Sequence, residues 1–227
     1  MRPFQGLLDE TFGVGAPAVL TSTWPGRSRL RLFAYPGRIK FAKASAKALW
    51  DHVADWYAAP PRQDVVLVAH SLGCRLALEF LKLLAGSQRP AGLGRLTLVL
   101  MAPAVPVTLV EPAGCLGLCL AAADGFRILH SQFDEALGWV FRGGEWAAGE
   151  GWFPQAVGLA GKPFPRDLCD DLSPIGHNGY WRSADAAVAV AQATGVFVRA
   201  SALSGAVKPT PPVRFGPTHM APMLPWL

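Results

Sequence analysis

Unbroken apolar runs alternate along the chain with stretches in which polar residues recur every three or four positions, the two patterns that distinguish buried strands from amphipathic helices. Asp64-Val65-Val66-Leu67-Val68-Ala69 is rich in β-branched residues, as expected of a strand covered on both faces of a parallel sheet. Leu96 to Ala102 and Phe126 to His130 have the same character, and Ala18-Val19-Leu20-Thr21-Ser22-Thr23 reads as a further strand stopped by Trp24-Pro25-Gly26. In Lys40 to Tyr57, the polar positions Lys40, Lys43, Lys47, Asp51 and Asp55 leave Phe41, Leu49, Val53 and Trp56 for the inner face of a helix. Only Arg75, Glu79 and Lys82 interrupt Leu72 to Leu84, which describes a largely buried helix. Further helices are predicted over about 112–123, 134–142 and 182–193. Strands alternating with helices predict an α/β fold in three layers, α/β/α, with a mostly parallel sheet.

The 227 residues, 51% of them hydrophobic, suffice for one domain with a sizeable core and exclude disorder of the whole chain. That domain is expected over residues 1–200, followed over 201–227 by an irregular proline-rich tail containing Lys208-Pro209-Thr210-Pro211-Pro212. The formal net charge of +5 comes from basic residues scattered between Arg2 and Arg214, so no nucleic-acid surface is expected. The densest group, Arg27, Arg29 and Arg31 with Arg38 and Lys40, suits a solvated loop, with an anion or membrane-surface contact as the alternative. The first ten residues lack an apolar core and a cleavage site, and the four cysteines then read as reduced thiols in a cytoplasmic protein. Cys115 and Cys119 are expected to pack on an apolar helix, not to bind zinc, since no partner stands at ligand spacing. Leu96 to Val110 is interrupted by Pro103 and Pro106 and is too short to span a bilayer.

Chemistry concentrates at Ala69-His70-Ser71-Leu72-Gly73, where a buried strand meets a buried helix through a small-x-Ser-x-Gly turn. Such a sharp turn strains the serine and exposes its hydroxyl, which marks Ser71 as a candidate nucleophile; a plain helix cap is the alternative. A serine needs a general base and a group that orients the base. Asp134 follows the strand ending at His130 and is expected at the same sheet edge as Ser71, with an electrostatic role at a helix N-terminus as the alternative, whereas Asp124 precedes that strand and is expected at the other end. Of the five histidines, His52 falls in the amphipathic helix, His219 in the tail and His130 in a strand. His70 is expected to point away from Ser71 because successive strand residues face opposite sides. His177 remains as the candidate base, in the glycine-flanked loop Ile175-Gly176-His177-Asn178-Gly179-Tyr180-Trp181; a structural histidine bonded to nearby backbone is the alternative.

The chain order Ser71, Asp134, His177 resembles that of the α/β-hydrolase superfamily, and the resemblance extends from about residue 18 to 193. Within it the sequence is similar to a bacterial group of serine hydrolases of unknown function. The stretches that carry this likeness are Ser22-Thr23-Trp24-Pro25-Gly26, Ala69-His70-Ser71-Leu72-Gly73, Ser131-Gln132-Phe133-Asp134-Glu135-Ala136-Leu137 and Gly176-His177-Asn178-Gly179-Tyr180. The family also carries an upstream strand ending in a His-Gly loop that helps bind an oxyanion, and the 17 residues before Ala18 contain no His. The expected fold is therefore an α/β-hydrolase domain abbreviated at its N-terminal strands. A coding start upstream of Met1, a rearranged sheet using Leu30 to Ala34, and a non-catalytic member all accord with that departure. The backbone N–H of Leu72 is one expected oxyanion donor.

The function expected from these residues is a serine esterase or thioesterase acting on a small or medium acyl substrate, with Ser71, Asp134 and His177 as its triad and no cofactor. Trp24, Phe133, Tyr180 and Trp181, with Trp139 nearby in sequence, read as core and crevice lining or, in the sharper alternative, as the walls of an apolar acyl pocket. The alternatives are a pseudo-hydrolase that acts as a binding module and a lipase that works at a membrane surface. No phosphate loop, dinucleotide fingerprint or metal motif competes with the serine reading.

Overall fold

The computed structural model of the protein describes residues 2–12, 35–142 and 154–194. Helices α1 (Arg2–Phe12) and α2 (Tyr35–Trp56) precede strand β1 (Gln63–His70), helix α3 (Leu72–Ala85) and strand β2 (Leu93–Met101). Strands β3 (Gly125–His130) and β4 (Cys169–Asp171) follow, and then helix α4 (Ala184–Ala193). The four strands form one sheet in the order β1-β2-β3-β4, every neighbouring pair parallel. The adjacent rungs His70 with Met101 and Met101 with Leu129 bring the strands to a common edge at their C-terminal ends.

Strand β2 explains why the apolar run is continuous. Leu96, Leu98 and Leu100 face a core built with Phe80, Leu81 and Leu84 of α3, while Val99 and Met101 face a second core with α1 and α4. All five are essentially inaccessible to solvent, and each contributes roughly 1.5–3 kcal/mol by leaving water. Helix α2 packs on α3, and α1 on α4, giving helices on both sides of the sheet. Residue Arg127 of β3 forks onto Asp170 of β4 at 2.5 and 2.6 Å, a bidentate pair that joins the short last strand to its neighbour.

Several expectations are corrected. No helix spans 112–123: that stretch is a chain of turns ending in a 3-10 turn at Leu120–Ala122. A Cβ at Gly117 would collide with the Glu111 carbonyl, so the backbone there packs more tightly than a helix allows. Cys119 is buried in this turn region and Cys115 is exposed, so neither lies on the expected apolar helix. The helix predicted over 134–142 is a π-helical stretch, Ala136–Phe141. In α2 the buried stripe is Ile39, Ala42, Ser45 and Ala46, while Phe41 and Trp56 are exposed at 50% and 45%. Phe41 sits one step, about 100°, from Ala42 of that stripe, and small residues let α2 approach α3 closely. Neither α1 nor β4 is foreseen by the pattern; β4 has three residues, two of them Asp. Residues 18–26, with Trp24, the segment 27–34, and the 201–227 tail lie outside the described residues. Among the described residues, no helix is long and apolar enough to cross a membrane.

Candidate active site

Ser71 leaves the strand abruptly. Its φ of 55° and ψ of −127° are far from both β and helical values, while Leu72 already opens α3. The backbone holds this turn from three sides: Ser71 N–H donates to Met101 O (2.9 Å), and Ser71 O accepts from Cys74 N (3.0 Å) and Ala104 N (3.2 Å). A non-glycine residue in such a conformation stores on the order of 1–3 kcal/mol. The hydroxyl makes no capping hydrogen bond to α3. It is free to face the sheet edge, and the N–H of Leu72, as first residue of the helix, has no intrahelical acceptor.

The loop after β3 carries Asp134. Ser131 N–H bonds to Gly158 O (3.0 Å), and the Ser131 hydroxyl accepts from Phe133 N (3.2 Å), which turns the chain inward. Gly158 is required here, because a Cβ would lie 2.6 Å from the Ala102 carbonyl carbon. Asp134 ends up 1% exposed, with Oδ1 accepting from Leu137 N at 3.1 Å. The loop after β4 carries His177. It opens with Asp171 Oδ1 accepting from Ser173 N (2.9 Å) and Ser173 Oγ (2.5 Å), bonds that hold the Asp171 carboxyl below its ordinary range. Ser173 Oγ also accepts from Gln132 N at 3.2 Å, so the two loops are tied together.

The three groups meet in a continuous chain. His177 Nδ1–H donates to Asp134 Oδ2 at 2.7 Å, and Ser71 Oγ–H donates to His177 Nε2 at 2.8 Å. The buried carboxylate fixes the imidazole tautomer that leaves Nε2 able to accept the hydroxyl proton. Asp124 stands elsewhere, bonded to Arg89 at 2.5 Å and Leu96 N at 2.7 Å, at the opposite end of β3.

His70 requires a correction. It does not point away from the site: its Nε2–H donates to the His177 backbone carbonyl at 2.7 Å, and the two rings are 4.9 Å apart. Strand alternation fails as a guide here because Ser71 is no longer in β conformation and the His177 loop arrives over the face that His70 occupies. Burial first, and then the neighbouring His177, push the His70 pKa down to about 4. This contact has no signal in the sequence beyond the adjacency of His70 to Ser71.

Of the aromatics expected around a pocket, Phe133 is 63% exposed next to Asp134 and Trp139 is exposed on the π-helical stretch. Tyr180 is fully buried beside His70, and its hydroxyl has no hydrogen-bond partner among the described residues. Its phenol is pushed up from its ordinary value by burial and by the Asp134 charge. Trp181 packs edge-on against Phe4 of α1, with ring centroids 5.2 Å apart. Among the described residues, no group of three or more His, Cys, Asp or Glu is placed to hold a metal ion.

Comparison with known proteins adds one finding. The model of a family described as "Alpha/beta hydrolase of unknown function (DUF900)" matches residues 9–140, a span that includes Ser71 and Asp134. No curated protein and no solved structure matches the chain. With more than half of the sequence matched, and four parallel strands flanked by helices, the chain belongs to this alpha/beta hydrolase family.

Proposed function

We propose that the protein is a serine hydrolase of carboxylic esters or thioesters, with Ser71 as nucleophile, His177 as general base and acid, and Asp134 as the group that orients His177. The observation that carries this reading is the unbroken Asp134–His177–Ser71 hydrogen-bond chain, at 2.7 and 2.8 Å, ending on a serine with φ of 55°. Ser71 Oγ attacks the acyl carbonyl as its proton passes to His177 Nε2, and the resulting imidazolium is stabilised by the buried Asp134 carboxylate. His177 then returns the proton to the departing alcohol or thiol. Water, deprotonated by the same Nε2, attacks the acyl-serine; as that intermediate collapses, Ser71 regains its proton from His177 and the acid is released. The Leu72 N–H stabilises the oxyanion in both halves, and such a donor contributes on the order of 10²–10³ in rate. Phe133, exposed and adjacent in sequence to Asp134, is the aromatic side chain offered to an apolar acyl group.

Labelling with a fluorophosphonate probe tests the reading. Covalent labelling of the wild type that disappears in Ser71→Ala and falls steeply in His177→Ala is expected. A folded wild type that takes up no label overturns the proposal and leaves the fold as a binding module.

A further inference from the structure

The proposed mechanism uses His177 through its ring, yet the position of that ring depends on a loop whose local bonds do not reach the His177 carbonyl. Ile175 N–H bonds to Leu172 O (2.9 Å) and Gly179 N–H to Gly176 O (2.8 Å), on either side of His177. The loop is open at Gly176, where an added Cβ would meet nothing within 4 Å. The carbonyl of His177 is instead bonded to His70, 107 positions away. Two consecutive residues of one strand end therefore grip a single loop residue at two points: His70 takes its main chain and Ser71 its side chain.

We propose that His70 is a positioning residue, whose neutral imidazole donates Nε2–H to the His177 carbonyl and thereby holds the general base in line with Ser71. This deepens the serine-hydrolase reading and rests on it. A carbonyl only accepts, so the 2.7 Å contact assigns a His70 proton to Nε2, and in the neutral ring Nδ1 then carries none. The ring has little room to turn. Besides His177 it meets Trp181 at 5.5 Å and Tyr180 at 5.9 Å, and Trp181 is itself backed by Phe4. Burial keeps the ring neutral near pH 7, so no second cation stands beside His177 when that residue takes the serine proton. The arrangement closes a ring of bonds: the Ser71 hydroxyl to the His177 imidazole, the His177 carbonyl to the His70 imidazole, and the peptide between His70 and Ser71.

The test compares His70→Phe, which keeps a ring but removes the donor, with His70→Gln, whose amide nitrogen reaches the place of Nε2. The rate constant for fluorophosphonate labelling of Ser71 should fall roughly 10–100-fold in His70→Phe, the scale of an ångström-sized misplacement, and recover to within about fivefold of wild type in His70→Gln. Both folded variants labelling at the wild-type rate, or His70→Gln recovering nothing over His70→Phe, would overturn the inference. Should a substitution unfold the chain, the wild type still decides: long-range ¹⁵N–¹H spectra at pH 7 must show His70 neutral and protonated at Nε2, and the Nδ1–H tautomer or a cation refutes the assignment. Failure of the hydrolase reading is distinct, since it appears in the wild type as absence of Ser71-dependent labelling and removes both proposals.

Discussion

Asp134→Asn alters one atom type at the most buried member of the hydrogen-bond chain, and its effect can be worked from the two contacts the carboxylate makes. Oδ1 accepts from Leu137 N at 3.1 Å and Oδ2 accepts from His177 Nδ1 at 2.7 Å. The backbone N–H of Leu137 can only donate, so the amide oxygen of Asn must take that side. The reverse orientation sets two donors face to face in a buried site, at a cost of about 1–3 kcal/mol. The amide NH₂ then faces His177 and forces Nδ1 to accept, which moves the imidazole proton to Nε2. In that tautomer Nε2 cannot accept from Ser71, and the general base is lost while the fold is kept. The expected fall in the rate of fluorophosphonate labelling is on the order of 10⁴, or about 5 kcal/mol at 1.36 kcal/mol per tenfold. Stability should change by no more than about 1–3 kcal/mol, because shape and volume are conserved. Labelling kinetics alongside circular dichroism of the purified variant measure both quantities. A folded Asp134→Asn that labels within tenfold of wild type would refute the tautomer argument and the role of Asp134 together.

Acid should destabilise the protein through His70. Its pKa is near 4 in the folded chain against 6.5 for an unperturbed ring, so between these values the unfolded state binds more protons. The contribution is intact above pH 6.5 and lost as pH falls to about 4, amounting to roughly 3 kcal/mol at 1.36 kcal/mol per pKa unit. Urea unfolding at pH 7 and pH 4.5 should show a smaller loss in His70→Gln than in wild type, and equal losses would disprove the linkage. Gly161→Ala should cost about 1–3 kcal/mol, since φ is 69° there and the new Cβ would lie 2.8 Å from Cys169 Sγ and 2.9 Å from His130 Cδ2. A denaturation midpoint indistinguishable from wild type would show that this turn relaxes freely.

The sheet was legible because β1, β2 and β3 announce themselves as unbroken apolar runs, and the junction at Ser71 because a small-x-Ser-x-Gly string sits between a buried strand and a buried helix. That Asp134 would neighbour Ser71 followed from strand direction, since loops leaving the C-terminal ends of parallel strands share an edge, whereas His177 was reached by eliminating the other histidines, its preceding strand β4 being unforeseen. Features decided by tertiary contact were not legible. Which face of α2 is buried depends on the small side chains that fit against α3, and size-weighted hydrophobicity favoured Phe41 and Trp56 instead. The turns over 112–123 depend on close backbone approach at Gly117, and β4 is held by the Arg127–Asp170 pair instead of by its own composition. The position of His70 relative to His177 depends on a strained dihedral at Ser71, which a rule built on regular strands does not anticipate.

The strand order β1-β2-β3-β4 is also the order of synthesis. A sheet of this kind can grow on the ribosome one edge at a time, each emerging strand adding to a template already in place. His177 lies 106 positions after Ser71, and at about 5–20 residues per second it emerges roughly 5–20 s later. Throughout that interval Ser71 is without its hydrogen-bond partner His177. If Ser71 and His177 act as proposed, the nascent chain holds no activated serine until the last strand among the described residues has been made, so assembly of the site would report that this sheet has formed.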